Sequence, residues 1–360
     1  MTHQAAVKLG ITPRLFAERI DDSAALAAPG AVFNHPDALA AFAADCEVLT
    51  FEHERIDIGL LQAIEDNGRL LRPGTKTIRA AFDKMHQRRV LKNRNYNVPA
   101  FAEIRGPDDL LDFVADHGYP VVLKTVRAAP PGQRGVFIVD NRSEAMRVLA
   151  EFGELDLMAE QYQAIVKELV VLVVRRPGGL SRCYPLTETI NHDGVCTEIH
   201  TPADIGHRLA TEARQMAVDL ADDLDAVGVL AVELFLTIDG LVVNELAARP
   251  HNAGHFTIEG CPTSQFENHV RAVLDLPLGP TWAIHPAAVT VNVLGDLDGV
   301  DPAQHLPEAL AVEGAQIHLY GKYPKPRRKL GHVTAFADDV KQAAQVARRA
   351  EAALHGRRPF

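Results

Sequence analysis

The sequence predicts a mixed α/β chain organised around one carboxylate-bearing β-hairpin. Three observations point there. Two β-branched, apolar runs, Val229 to Thr237 and Leu241 to Leu246, flank Asp239-Gly240, a strong hairpin signal. Just before them, His207 to Ala226 has the spacing of an amphipathic helix, with Leu209, Ala213, Met216, Leu220 and Leu224 on one side. The chain has 360 residues, 47% of them hydrophobic and 23% charged, which is too long for one small core and suits two or three subdomains.

Bulk properties exclude several classes of partner. A net charge of −10 argues against a nucleic-acid surface. Cys46, Cys183, Cys196 and Cys261 are far apart with no C-x-x-C, so they read as reduced thiols of a cytoplasmic protein, not zinc ligands. No apolar run approaches the length needed to cross a membrane, and the opening MTHQAAVKLG has no signal-peptide core.

Taken in order, Thr2 to Leu9 reads as a helix ended by Gly10, and Ile11 to Ala17 as a strand. A doubly wound unit should open instead on a strand and a Gly-rich turn. Pro36 to Ala44 is a short helix. Glu47 to Phe51 is a strand running into Glu52-His53-Glu54, which is either a ligand-contacting strand end or a solvated one. Pro73-Gly74 marks a boundary. Thr77 to Leu91 reads as one basic helix carrying Arg79, Lys84, Arg88 and Arg89, the last two as surface charges.

Pro107 to His117 is a helix with Pro at its start and Gly118 at its end. Tyr119 to Val126 is a buried strand bearing Lys124. A lysine in a β-branched run is costly unless it meets an anion, and a phosphate supplies one. Leu155 to Ala159 is a strand leading into Glu160-Gln161-Tyr162-Gln163, and Glu168 opens the strand Leu169 to Arg175; alone, these acids read as surface groups. Asn191-His192-Asp193-Gly194 is a hairpin turn. Ser264-x-x-Glu267 is a capping box. Pro277 to Pro286 is a linker. Gln316 to Lys322 is a strand entering the basic run Tyr323 to His332, and Asp338 to His355 is a helix closed by Gly356.

The hairpin holds the main chemical question. A three-residue loop, Ile238-Asp239-Gly240 with Gly240 left-handed, would set Glu233 opposite Glu245; a two-residue loop would send them to opposite faces. Facing carboxylates repel and call for a proton or a cation between them. Oxygen donors including Asn244 and a substrate phosphate would suit Mg²⁺. Spacing alone leaves this open against two glutamates at a solvated strand end. Arg249, His251, Asn252 and His255 follow on a Pro/Gly-interrupted loop, where anion and substrate contacts are usually placed.

The run NELAARPHNAGHFT, Asn244 to Thr257, resembles the signature of the 5-(carboxyamino)imidazole ribonucleotide synthase family, ATP-grasp carboxylases of purine synthesis. The resemblance extends over essentially the whole chain from Thr2. It implies an ATP-grasp fold: a truncated Rossmann-like pre-ATP-grasp domain over 1–72, a nucleotide-binding domain over 73–278 with a lid lobe at about 105–170, and a small C-terminal domain over 279–360. On this resemblance the chain would start at the family's first helix, after the strand and Gly-Gln-Leu-Gly-Arg-Met-like turn that precede it there; a lost strand and a misplaced start codon would each give that pattern.

The resemblance also implies roles. ATP would meet Lys84, Lys124, Glu160, Gln161, Tyr162, Gln163, Glu168, Asn191, Asn244 and Glu245, with Gly132 and Gly135 in the lid turn. Arg79 is a weaker candidate, one position from the family's arginine, which falls at Ala80. Glu233 and Glu245 would hold Mg²⁺, or Mn²⁺ in its place. Arg249 would steady bicarbonate or carboxyphosphate, while His251, Asn252, Lys322, Arg328 and Lys329 orient aminoimidazole ribonucleotide. Lys124, Arg249 and Lys322 would form the catalytic set of a cytoplasmic homodimer with ATP as co-substrate.

The loop Arg127 to Gly135 departs from the family. Alanines and Pro130-Pro131 replace a Gly-Gly-Tyr-Asp-like lid, stiffening it and removing backbone donors. That departure motivates two rivals: an ATP-grasp ligase with another acceptor, and an ATP-binding homologue without turnover.

Overall fold

The computed structural model describes residues 1–17, 25, 32–33, 36–53, 56–127, 135–153 and 155–357. The lid residues Pro130, Pro131, Gly132 and Arg134, and Glu54 near the N-terminal strand end, lie outside them.

Among the described residues the N-terminal segment is sparser in strand than expected. The helix Thr2–Lys8 is present, and Gly10 follows at φ 72°. The strand expected over 11–17 reduces to β1, Phe16–Ala17, parallel to β2, Val32–Phe33. The strand expected over 47–51 is a single bridge between Leu49 and Leu71. These pieces still share a core of Leu39, Leu49, Phe51, Leu61, Leu71 and Ile78.

The single basic helix expected over 77–91 is two helices, Thr75–Phe82 and Lys84–Asn93. Asp83 breaks it. Its backbone is extended, and its side chain accepts the His86 N–H at 2.8 Å, so it caps the second helix.

A small antiparallel sheet follows: β3 (Phe101–Ile104), β4 (Val121–Thr125), β5 (Val136–Val139) and β6 (Leu157–Gln161), in the order β3-β6-β4-β5. The helices Pro107–His117 and Arg142–Phe152 cover it through Leu110, Phe113, Ala145 and Val148.

The large sheet contains β7 (Lys167–Arg175), β8 (Ser181–Cys183), β9 (Thr187–His192), β10 (Val195–Thr201), β11 (Gly228–Thr237), β12 (Gly240–Ala247), β13 (Ala287–Leu294), β14 (Ala315–Leu319) and β15 (Lys329–Ala337). Its main path runs β12-β11-β7-β9-β10-β13-β15-β14, with β8 beside β7. The run in β7 is apolar without alternation because both faces are covered. Leu169, Val171 and Val173 join the core under the helix His207–Asp223, while Val170, Leu172 and Val174 join the one containing Phe256 and Ala272.

The C-terminal strands extend this same sheet, because β13 pairs with β10 across the linker. The helix Val340–Leu354 lays Ala343, Ala347 and Ala350 against β13 and β15. The last expected strand, 316–322, stops at Leu319, leaving Lys322 beyond it.

Candidate active site

Thr237 pairs with Gly240, so the hairpin loop is the two residues Ile238 and Asp239, not three. Gly240 has φ 122°, a conformation closed to most side chains. Continued without interruption, that register would set Glu233 against Asn244. Instead it slips between Glu233 and Leu234, and Glu233 pairs with Glu245. The extra residue is Asn244, a β-bulge that sets two residues against one. The expected pairing therefore holds, but the bulge produces it and the loop does not. Asn244 Nδ2 donates to Glu233 Oε2 at 3.3 Å, which keeps the amide with the acids.

Cations arrive from the other side. Lys84, first residue of its helix, donates its backbone N–H to Val126 O at 3.0 Å and sets Nζ 2.6 Å from Glu245 Oε1. From β4, Lys124 Nζ lies 2.7 Å from Glu160 Oε2 and donates to Asn244 Oδ1 at 3.3 Å. The second Glu160 oxygen takes Arg88 Nε at 2.6 Å. Arg88 is thus buried at 2% exposure, correcting its reading as a surface charge.

Electrostatics follow from this packing. Burial pulls the Lys124 ammonium below its ordinary range, against the opposing charge of Glu160. Burial would raise the carboxyls of Glu160 and Glu245. The cations outweigh it, Lys124 and Arg88 at the first and Lys84 at the second, so both sit below the ordinary range.

Glu168 accepts from Asn191 Nδ2 at 2.7 Å, across neighbouring strands. Burial pushes the Glu168 carboxyl up, against the Asn191 hydrogen bond, and the charge of Glu233 adds to the rise. At the end of β6 the Glu160 side chain turns inward to its two cations, while Gln161 and Tyr162 are exposed and Gln163 donates to Gln161 O at 3.2 Å. Gly135 accepts the Thr125 N–H at 2.9 Å, closing the base of the lid loop. Arg79 is on the exposed side of its helix, and Ala80 is buried.

The loop after β12 is clamped from below. Gln265, fully buried, accepts the His251 N–H at 2.9 Å and donates to His251 O at 2.6 Å. This fixes His251 with Nε2 3.3 Å from Glu233 Oε1. Asn252 Nδ2 donates to Cys196 Sγ at 3.7 Å, and its buried Oδ1 has no partner among the described residues. Arg249 donates to Pro250 O at 3.1 Å. Burial lowers the Lys329 ammonium's pKa; Cys196 and Glu233 oppose that while Arg249 adds to it, which places Lys329 at the same pocket. Arg328 donates to Tyr323 O at 3.0 Å, and Lys322 Nζ stands 5.1 Å from the Tyr320 ring centre.

Two contributors were not legible from sequence. Arg88 has only the residue pattern of an ordinary surface helix, and Gln265 is masked by the capping box around it. The donor set itself is two carboxylates and an amide oxygen. Among the described residues no group of three or more His, Cys, Asp or Glu side chains could hold a metal. Hard oxygen donors this few fit a divalent cation shared with nucleotide phosphates, not an all-protein cage.

Comparisons with known proteins identify the family and the fold. The ATP-grasp domain model matches residues 89–266, and the phosphoribosylaminoimidazole carboxylase C-terminal domain model matches 288–346. N5-carboxyaminoimidazole ribonucleotide synthase of Mycobacterium tuberculosis is 42% identical over 369 aligned positions, covering 99% of this chain and 84% of that protein. The solved ADP complex of an N5-carboxyaminoimidazole ribonucleotide synthetase superposes with TM-score 0.90 at 29% identity, covering 97% of this chain and 92% of that one. The Aspergillus clavatus synthase solved with ADP and 5-aminoimidazole ribonucleotide gives 0.88 at 28% identity, over 99% of this chain and 95% of that one. The fold is therefore the ATP-grasp fold that the resemblance implied.

Proposed function

This chain belongs to the N5-carboxyaminoimidazole ribonucleotide synthase family, and from that premise we propose how its residues divide the work. The protein is an ATP-dependent ligase of purine biosynthesis that carboxylates 5-aminoimidazole ribonucleotide, forming a C–N bond. In the proposed sequence a bicarbonate oxygen attacks the γ-phosphorus of ATP, the β–γ bridging bond breaks, and ADP leaves. The substrate amine then attacks the carboxyphosphate carbon, phosphate departs and the amine loses a proton.

Such chemistry asks the protein for positioning and charge neutralisation. Lys124 has three N–H donors, and Glu160 and Asn244 use two, leaving one for a phosphate. Lys84 adds a second cation beside Glu245. Arg249 holds bicarbonate and then carboxyphosphate. His251 and Asn252 face the ribonucleotide, with Lys322, Arg328 and Lys329 on its anionic groups. Glu168, Asn191 and the strand end at 160–163 hold the nucleoside, and Gly135 with Gly132, which lies outside the described residues, is assigned to the phosphates by the family resemblance. Glu233, Glu245 and Asn244 would hold Mg²⁺ or Mn²⁺, which supplies charge neutralisation of the phosphates when bound.

The observation that carries this reading is the bulged pairing of Glu233 with Asn244-Glu245, met by Lys84 and Lys124 from the facing segments. Retention of these residues with Arg249 and the basic turn supports carboxylation over the two rivals raised by the altered loop. We place the boundaries of the three domains near 72 and 278, and read the protein as a cytoplasmic homodimer. Among the described residues no helix is long and apolar enough to cross a membrane.

The test is purified protein with ATP, Mg²⁺, bicarbonate and aminoimidazole ribonucleotide. ADP release that requires the ribonucleotide supports the reading. ADP release only with another amine, or ATP binding without turnover, would replace it.

A further inference from the structure

We propose that Tyr320 is a positioning residue: its ring face carries the Lys322 ammonium and presents it to the ribonucleotide's anionic groups. The inference rests on the assignment of Lys322 to the ribonucleotide made above. Lys322 lies beyond the last ladder residue of β14, and its Nζ stands 5.1 Å from the Tyr320 ring centre, within cation–π range.

The Tyr320 ring is itself held by two histidines, His255 and His332, and a third, His318, stacks on the second of them. Its Oη is 2.8 Å from His332 Nδ1 and 3.5 Å from His255 Nδ1. The His255 and His332 rings stack at 4.1 Å and 14°, and His318 stacks on the far side of His332 at 4.7 Å and 19°. Glu259 Oε1 ends the array, 2.7 Å from His318 Nε2. The rings come from the loop after β12, from β14 and from β15, so the array joins the Arg249–Asn252 loop to the basic turn. Burial holds His255 and His332 well below the ordinary histidine range, so these two stacked rings are uncharged and do not repel one another. Nothing in catalysis as described uses these histidines. What the array does is fix one aromatic ring under one lysine.

The experiment separates ring electrostatics from ring shape. Tyr320→Phe is compared with the same position carrying trifluorophenylalanine, which keeps the shape of phenylalanine and removes the negative ring face. Tyr320→Leu, Lys322→Ala and their double variant complete a cycle. The expected result is a fall of about 3- to 10-fold in kcat/KM for the ribonucleotide on fluorination or Tyr320→Leu. The KM for ATP should move by less than about 2-fold, and Tyr320→Leu should add nothing in the Lys322→Ala background.

Equal losses in both backgrounds, or parallel changes in the KM for ATP and for the ribonucleotide, would make Tyr320 an ordinary packing residue and overturn the proposal. If Tyr320→Leu does not fold, the fluorinated pair still decides. If Lys322→Ala leaves kcat/KM for the ribonucleotide unchanged, the Lys322 assignment itself fails, and this inference with it.

Discussion

Glu160→Gln is the most informative single perturbation of the site. The wild-type carboxylate serves two cations, Arg88 Nε at 2.6 Å and Lys124 Nζ at 2.7 Å, and the three side chains are 2%, 10% and 3% exposed for Arg88, Lys124 and Glu160. An amide keeps the shape and removes the charge. Breaking a buried pair in this way costs about 3–5 kcal/mol. Two like charges left facing each other would repel by roughly 3 kcal/mol, taking a separation of about 5 Å and an effective dielectric of about 20. Lys124 can relieve that by losing its proton. Its pKa is already pulled down by burial, and Glu160 is what opposes the fall.

The sign then follows. In the variant the folded state binds fewer protons than the unfolded chain, so its stability rises with pH towards the ordinary lysine value. ATP affinity, which uses the ammonium, falls over the same range and begins to fall at lower pH than in the wild type. Urea unfolding and calorimetric ATP titration from about pH 6 to about pH 9 would measure both. A loss under about 1 kcal/mol with pH-independent ATP affinity would refute the argument. A control is the variant Arg88→Leu/Glu160→Leu/Lys124→Met, which removes every charge and should recover most of the stability while losing ATP affinity.

Glu245→Gln should abolish metal-dependent ATP turnover with little change in fold, checked by ADP release and circular dichroism; unchanged turnover would remove the cation assignment. Asn244→Ala should weaken Mg²⁺ activation by roughly 5-fold, the worth of about 1 kcal/mol of hydrogen bonding, read from the metal dependence of ADP release. A Cβ on Gly254 would run into Leu172 and the Gln265 side chain. Gly254→Ala should therefore destabilise by about 1–3 kcal/mol and loosen His251, seen as a raised KM for the ribonucleotide. Burial would raise the Glu198 carboxyl, but His200 and Arg348 bring it down from 4.5 to about 2. Its contribution is complete above 4.5 and is lost as pH falls through about 2. Arg348 is 57% exposed, so Arg348→Ala should cost only about 0.5–1 kcal/mol after screening, visible as an acid-unfolding midpoint moved to higher pH.

What the sequence made legible differs by length scale. The hairpin that carries Glu233 and Glu245 was readable because Asp239-Gly240 and the apolar runs bracket it, while their pairing was readable only on condition of a three-residue loop. The route to it was not, since a bulge at Asn244 has no residue signature and a two-residue loop plus one bulge reaches the same partners as a three-residue loop. Lys124 was readable as a buried lysine needing an anion, yet its resident partner, Glu160, sits 36 positions away in a neighbouring strand. Asp83 falls inside the single basic helix that the sequence suggests over 77–91; its capping bond to the His86 N–H decides otherwise. Contacts made within a few residues leave patterns in sequence, whereas ion pairs between strands and a clamp such as Gln265 on His251 depend on packing that no local window contains.

The pairing of β10 with β13 through Glu198–Val291 to Thr201–Ala288 has a practical corollary for anyone trimming the chain. The two matched family models suggest a severable tail. A cut in the linker would instead strip β10 of its neighbour and bare a row of amide and carbonyl groups ready to seize another strand. Shortened proteins ending near 280 should self-associate, and the remedy is to keep the tail attached, not to polish the new terminus.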